Sequence, residues 1–441
     1  MTNVADAAPV PGQIEPPARP SIRGMLAQTE IDLRLFGMVL ALGVILVVFH
    51  IASGGKLIQP NNMITLAVQA AGIAIIATGM VLIIVSRNID LSVGSVVGLV
   101  AMSYALLMTD WFPDILGLGP DTPFLWALAL ALGIGIGAAI GAIQGFIIAY
   151  IGVPSFIVTL GGLLTIRGLV WYQSQGAAVN GLDPTFLLIG GGAQGSVGEV
   201  LTWALAVAGC LAIFAIIANG RRQRRRYGFP VRPMWAEIAL IVVGCGAVLG
   251  IAWFANNNFW PQGLANRVAV EQGWGPAPEG GWRIPTGFPL PIVLLIGVTL
   301  VMTWMATRRR FGRFVYAYGG NPDAAELAGI NTRLTILKTY VLMGILCALA
   351  AAIVSARLNG STLDIGQSYE LYVIAAAVVG GTSFAGGIGT IPGAVLGAFV
   401  MQSLAYGLSF IGVNSPGQNV VAGLVLIVAV GLDTINRRRG S

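Results

Sequence analysis

Charge is what this sequence has least of. Asp, Glu, Lys and Arg make up 10% of the 441 residues, where a soluble domain carries roughly a quarter. Hydrophobic residues make up 56% and mean hydropathy is +0.83. A chain this apolar cannot clothe a water-facing surface, so lipid must cover most of it. There is one histidine, His50, near the end of the first apolar run. It has no companion for a metal or catalytic site and reads as an interface residue. Lys56 and Lys338 are the only lysines, and neither lies in a Gly-x-x-x-x-Gly-Lys-Ser/Thr phosphate loop. ATP binding by this chain is therefore excluded, and no cofactor is expected. Cys210, Cys245 and Cys347 stand singly in apolar runs, without metal or redox spacing. Residues 1–33 are rich in Pro, Ala and polar groups and lack an apolar core segment. They read as a disordered cytoplasmic tail rather than a cleavable signal. Weak alternation and the absence of hairpin signals exclude an outer-membrane barrel.

What the sequence does have is long apolar runs. A helix needs about 20 residues to cross the hydrocarbon. The runs predict an all-α membrane protein, a polytopic helix bundle of 10–12 spans with discontinuous helices. Twelve are expected: 34–52, 63–86, 91–109, 124–150, 155–172, 199–218, 236–254, 289–306, 336–356, 371–384, 388–412 and 419–435. Together they form a permease domain over 34–436. Arginine clusters at 221–226, at 308–313 and at 437–439, and positive loops stay cytoplasmic. The span count places all three clusters on one side, together with the N-terminus. This makes 219–235 a basic cytoplasmic loop, 308–335 a cytoplasmic loop and 437–441 a basic cytoplasmic C-terminus. A nucleic-acid role for the 221–226 run is not expected. The segment 255–288, with Trp260, Trp274 and Trp282, reads as a periplasmic loop resting at the interface.

Two apolar stretches are interrupted, 79–94 and 378–393, one in each half of the chain. Unwound backbone survives within a membrane only where protein or water satisfies it, and corresponding interruptions point to a transport pathway. The first contains Arg87 and Asp90, which lie either at a turn, with Asp90 capping the next helix, or in a wet cavity as a pair. Gly133, Gly135, Gly137, Gly141 and Gly145 allow close helix approach. In the cytoplasmic loop, Asn321 is the expected N-cap and Pro322 the first residue of a short helix. Asp323 and Glu326 favour its positive end, and Gly329 with Asn331 end it. A helix there is more than a connector requires, so it is read as a docking helix for a partner.

Asp323-Ala324-Ala325-x-x-x-Gly329 resembles the Glu-Ala-Ala-x-x-x-Gly loop of bacterial ATP-binding-cassette importer permeases, with Asp in place of Glu. Asn88–Gly94, Val153–Gly161 and Gly380–Gly389 resemble the sugar branch of these permeases, from about residue 35 to the end. The Arg-rich loop and the extra hairpin 236–306 look like the D-xylose subgroup. Where relatives carry Gly-Gly-Ile-Asp or Gly-Glu-Ile-Asp, this chain has Arg87-Asn88-Ile89-Asp90. The resemblance implies a homodimer in the inner membrane, set in lipid, with ATPase subunits below and a periplasmic sugar-binding protein above. It implies no high-affinity sugar site on the permease, which ATP turnover on the partner alternates between openings. The pathway residues expected are Arg87, Asn88, Asp90, Ser92, Phe156, Thr159, Thr382 and Ser383. The expected ATPase-coupling residues are Gly320, Asn321, Asp323, Ala324, Ala325, Ala328 and Gly329. The alternatives are an ion-coupled secondary transporter, for which Asp90 is the only acidic candidate, and a membrane enzyme, which lacks a nucleophile–base or metal constellation.

Overall fold

In lipid a backbone amide has no water to bond, so each crossing must close its own hydrogen bonds, and the apolar runs do this as helices. The computed structural model describes residues 33–119, 122–275 and 277–440. Of the expected tail only Leu33 falls within them. The helices are α1 (Leu33–Ala52), α2 (Pro60–Val85), α3 (Val93–Leu106), α4 (Leu125–Phe146), α5 (Ser155–Ser174), α6 (Gly198–Arg226) and α7 (Met234–Asn256). Then follow α8 (Gln262–Glu271), α9 (Leu290–Arg308), α10 (Arg310–Gly320), α11 (Pro322–Leu327) and α12 (Thr332–Leu358). The chain closes with α13 (Tyr369–Val379), α14 (Ile391–Phe410) and α15 (Ser415–Gly440). A π turn at Leu107–Trp111 extends α3, and another at Ile147–Ile151 extends α4.

Ten of these helices, among the described residues, are long and apolar enough to cross a membrane: α1 to α7, α9, α12 and α14. The expected crossing at 371–384 is corrected. α13 has 11 residues and spans only about 16 Å, because Gly380 caps it and Gly381 turns left-handed at φ +97°. Residues 359–368 complete that crossing without helix. From the end of α12 they form a two-residue ribbon with Val179–Asn180. They then dip inward to Ile365 and Gly366, which press against Gly94 and Gly98 of α3. α15 has 26 residues, Ser415–Gly440, and covers the expected crossing at 419–435.

α2 is the central helix, with 94% of its apolar window buried, against 11% for α1, α6 and α7. Peripheral helices this apolar and this bare must face lipid or another chain. Around α2 the packing repeats: α14 lies along α2 as α4 lies along α12, and α13 contacts α2 as α3 contacts α12. α4 packs closely on α12. A Cβ on Gly137 or Gly141 would collide with the Gly344 or Tyr340 carbonyl, whereas Gly135 faces open space. The glycines at four-residue spacing therefore make the seam, and Gly135 is not part of it. This repeat also corrects the pairing of the two interruptions. The link after α2 (86–92) corresponds to the link after α12 (359–368), whereas 380–390 is the turn between α13 and α14.

Candidate functional site

Although not counterparts, the two glycine-containing breaks meet at the end of the bundle that carries α11. Ser86 closes α2, and Arg87 follows at φ +59°, a left-handed conformation that costs a non-glycine residue about 1–2 kcal/mol. The Arg87 guanidinium offsets that cost by donating to the carbonyls of Gly319 (2.7 Å) and Gly320 (2.8 Å) at the end of α10. The Gly387 N–H donates to the Val85 carbonyl at 3.0 Å, and Tyr316 Oη donates to the Gly389 carbonyl at 2.7 Å. Gly319 and Gly386 allow these backbones to touch, since a Cβ on either would strike the Val85 carbonyl or the Arg87 side chain. Arg34 at the start of α1 donates to the Gly381 carbonyl at 3.0 Å. Four chain segments are thus tied in one knot. Burial and the Glu326 carboxylate push the nearby Tyr318 phenol above its ordinary value, and Arg87 draws it back.

Asp90 lies deeper, almost fully buried, and does not pair with Arg87. Its Oδ1 accepts from the Ser92 N–H (2.9 Å) and the Ser92 hydroxyl (2.7 Å), an Asx turn that leads the extended link into α3. Asp90 is thus not itself the helix cap. Gln144 of α4 donates to the Ser92 hydroxyl at 2.9 Å. The Ile89 peptide is clasped by Ser155, Thr159 and Tyr340 at 3.3–3.4 Å. The non-helical link is therefore braced by α4, α5 and α12, which bond Ser92 and the Ile89 peptide, in keeping with a break embedded in protein. Asn88 bonds locally to Ser86.

Of the expected pathway residues, Asn88, Asp90, Ser92 and Thr159 therefore surround one link. Arg87, Thr382 and Ser383 belong to the knot, where the buried Thr382 hydroxyl has no partner. Phe156 is 51% exposed on α5 and stands outside the polar network.

α11 forms as its sequence suggests. The Asn321 side chain accepts from the Ala324 N–H at 3.0 Å, Pro322 is its first residue and Gly329 turns at φ +78°. Asn331 caps α12 by accepting from the Leu334 N–H at 2.9 Å. The expected docking set needs one correction. Ala325 is buried against its own chain, so it is a seat for the helix and not a contact for a partner. Gly320, Asn321, Asp323, Ala324, Ala328 and Gly329 are exposed. The most prominent residue, Leu327 at 90% exposure, was not expected. A leucine among the small and acidic residues of the loop, directly after Glu326, was the available signal. Sequence reasoning also missed a chamber at the opposite end of the bundle, where Gln69, Arg357 and Gln402 converge. Single polar residues on three separate helices leave no local pattern to notice.

A bundle of discontinuous helices around a central apolar helix, with one exposed short helix tied to the breaks, defines a membrane permease subunit. The chain belongs to the branched-chain amino acid transport system / permease component family, whose model matches residues 62–430. It is a multi-pass inner-membrane transport subunit that works with an ATPase and a solute-binding protein, and it is not an enzyme. Among curated proteins it is 32% identical to the xylose transport system permease protein XylH of Haemophilus influenzae, over 94% of this chain and 100% of that one. It is 33% identical to XylH of Escherichia coli, over 96% and 97%. It is 30% identical to the ribose import permease protein RbsC of Escherichia coli, over 85% of each. No solved structure matches it significantly.

Proposed function

We propose that this permease translocates a monosaccharide, D-xylose, inward across the membrane as a homodimer embedded in lipid. The α11 end faces the cytoplasm and the ATPase, and the opposite end receives sugar from the periplasmic binding protein. Arg221–Arg226 closes α6 and Arg308–Arg313 joins α9 to α10, both at the α11 end, and positive residues retained inside support this orientation. Both termini then lie in the cytoplasm, 219–235 and 308–335 are cytoplasmic loops, and 255–288 is periplasmic. The bare, apolar outer faces of α1, α6 and α7 supply surface for lipid and for a second copy.

The observation that carries the reading is the knot. α11 is held between α10 and α12, and the end of α10 is bonded through Arg87 to the link before α3 and lies against the turn after α13. Movement imposed on α11 is therefore passed to both breaks. Asn88, Asp90, Ser92 and Thr159, with Thr382 and Ser383 at the second break, line or position the gate. The XylH relatives favour a pentose. ATP-driven uptake in liposomes holding the permease, its ATPase and its binding protein tests this, with pentoses and hexoses in competition. Xylose uptake that depends on ATP is expected. Transport of amino acids but of no sugar would overturn the reading.

A further inference from the structure

The chamber opposite α11 is at odds with an apolar bundle. Gln69 on α2, Arg357 near the end of α12, Gln367 and Tyr369 at the start of α13, Gln402 on α14 and Gln418 on α15 surround about 170 Å³. That volume equals five or six waters at about 30 Å³ each. Gln402 donates to Gln69 at 2.9 Å, and Gln418 donates to the Val413 carbonyl at 2.9 Å. The remaining amide groups, the Gln367 side chain and the Arg357 guanidinium have no hydrogen bond to the described residues. Arg357 and Gln367 are exposed, so these groups are free to bond an occupant of the space, whose floor is apolar: Ile73, Ile353 and Val354.

The chemistry selects the occupant. Amides both donate and accept, as hydroxyls do, so several of them around one space match a polyol. No carboxylate lines the chamber, which gives a cation nothing to pair with. Tyr369 and Tyr372 add flat faces for the C–H side of a sugar ring. The position also fits: α13 starts at the chamber and ends 11 residues later at Gly380 and Gly381, in the knot. A rigid single helix thus has one end beside the chamber and the other beside the coupling apparatus.

We propose that this chamber is a low-affinity transit site where a neutral monosaccharide rests after leaving the binding protein. The proposal depends on the sugar-import reading above, and the experiment separates the two. Uptake of labelled xylose and of a deoxy analogue is measured in liposomes holding the full complex, first with the natural chain. If that complex moves no sugar, the import reading itself falls. If it does, Gln402→Leu combined with Gln69→Leu, which removes both partners of one bond, should slow xylose uptake about three- to tenfold. The same change should narrow the preference for xylose over the deoxy analogue, which mere structural damage would not do. Gln367→Ala, on an exposed connector residue, should act in the same direction without a folding cost. Natural rates and preference in all variants, with the ATPase still co-purifying, would overturn the proposal. So would native mass spectrometry showing a phospholipid that is lost in Arg357→Gln while uptake stays intact.

Discussion

Arg87 occupies a backbone position that favours glycine, and its two bonds to Gly319 and Gly320 explain why an arginine is tolerated there. The two effects can be separated. Arg87→Gly relieves the left-handed strain of about 1–2 kcal/mol but removes two hydrogen bonds from a charged group, worth about 1.5–3 kcal/mol each. Thermal stability should therefore fall modestly, while sugar-stimulated ATP hydrolysis of the assembled complex falls several-fold. Unchanged stimulation would mean that the knot does not carry coupling. Asp90→Asn keeps an oxygen for the Ser92 turn, so membrane expression should persist while uptake drops. Full uptake would reduce Asp90 to a turn-former. The sequence placed both residues at a break. Their separate partners were not legible, because the carbonyls that hold Arg87 lie more than two hundred residues away.

At the scale of elements, α11 and the α4–α12 seam make contrasting predictions. Leu327 projects from α11 into solvent, and burying a leucine in a partner cleft contributes about 1.5–3 kcal/mol. Leu327→Asp should weaken retention of the ATPase at least about tenfold in co-purification, with an unchanged melting profile. Ala325→Trp should instead destabilise the permease itself, since that site is filled by its own chain. If Leu327→Asp retains the ATPase fully, the docking surface lies elsewhere, with 219–235 the next candidate. In the seam, Gly137→Val meets a backbone carbonyl that cannot rotate away, and should cost about 1–3 kcal/mol. It should melt earlier in detergent, while Gly135→Val, facing open space, should not. α11 was legible because caps and turn glycines act within a few residues. The seam was legible as a spacing, but which glycines belong to it depends on where α12 lies.

For the whole molecule, the span pattern and the arginines support the proposed orientation, which intact cells can test. A cysteine at Glu279 should react with a membrane-impermeant thiol reagent, whereas one at Asp323 should react only after permeabilisation. The reverse pattern would invert the topology and displace the ATPase from α11. Of the twelve expected crossings only 371–384 is reduced to a short helix, and the other boundaries fall within a few residues of the apolar runs except where the third span continues to Leu116 and α6 to Arg226. By itself the sequence determined that this is a lipid-embedded helical bundle, where its helices run, which loops are basic, and that α11 is a capped helix. These are consequences of hydropathy, charge and local capping, all of which act over one helix length. Only the tertiary structure decided that α13 is half a crossing, that the two glycine breaks meet without being counterparts, and that Ala325 faces inward while Leu327 faces out. It alone gathered glutamines from α2, α14 and α15 around one chamber. In a bundle whose helices are apolar on every side, no amphipathic stripe says which face packs inward, so the partners across each interface are settled only when the helices assemble.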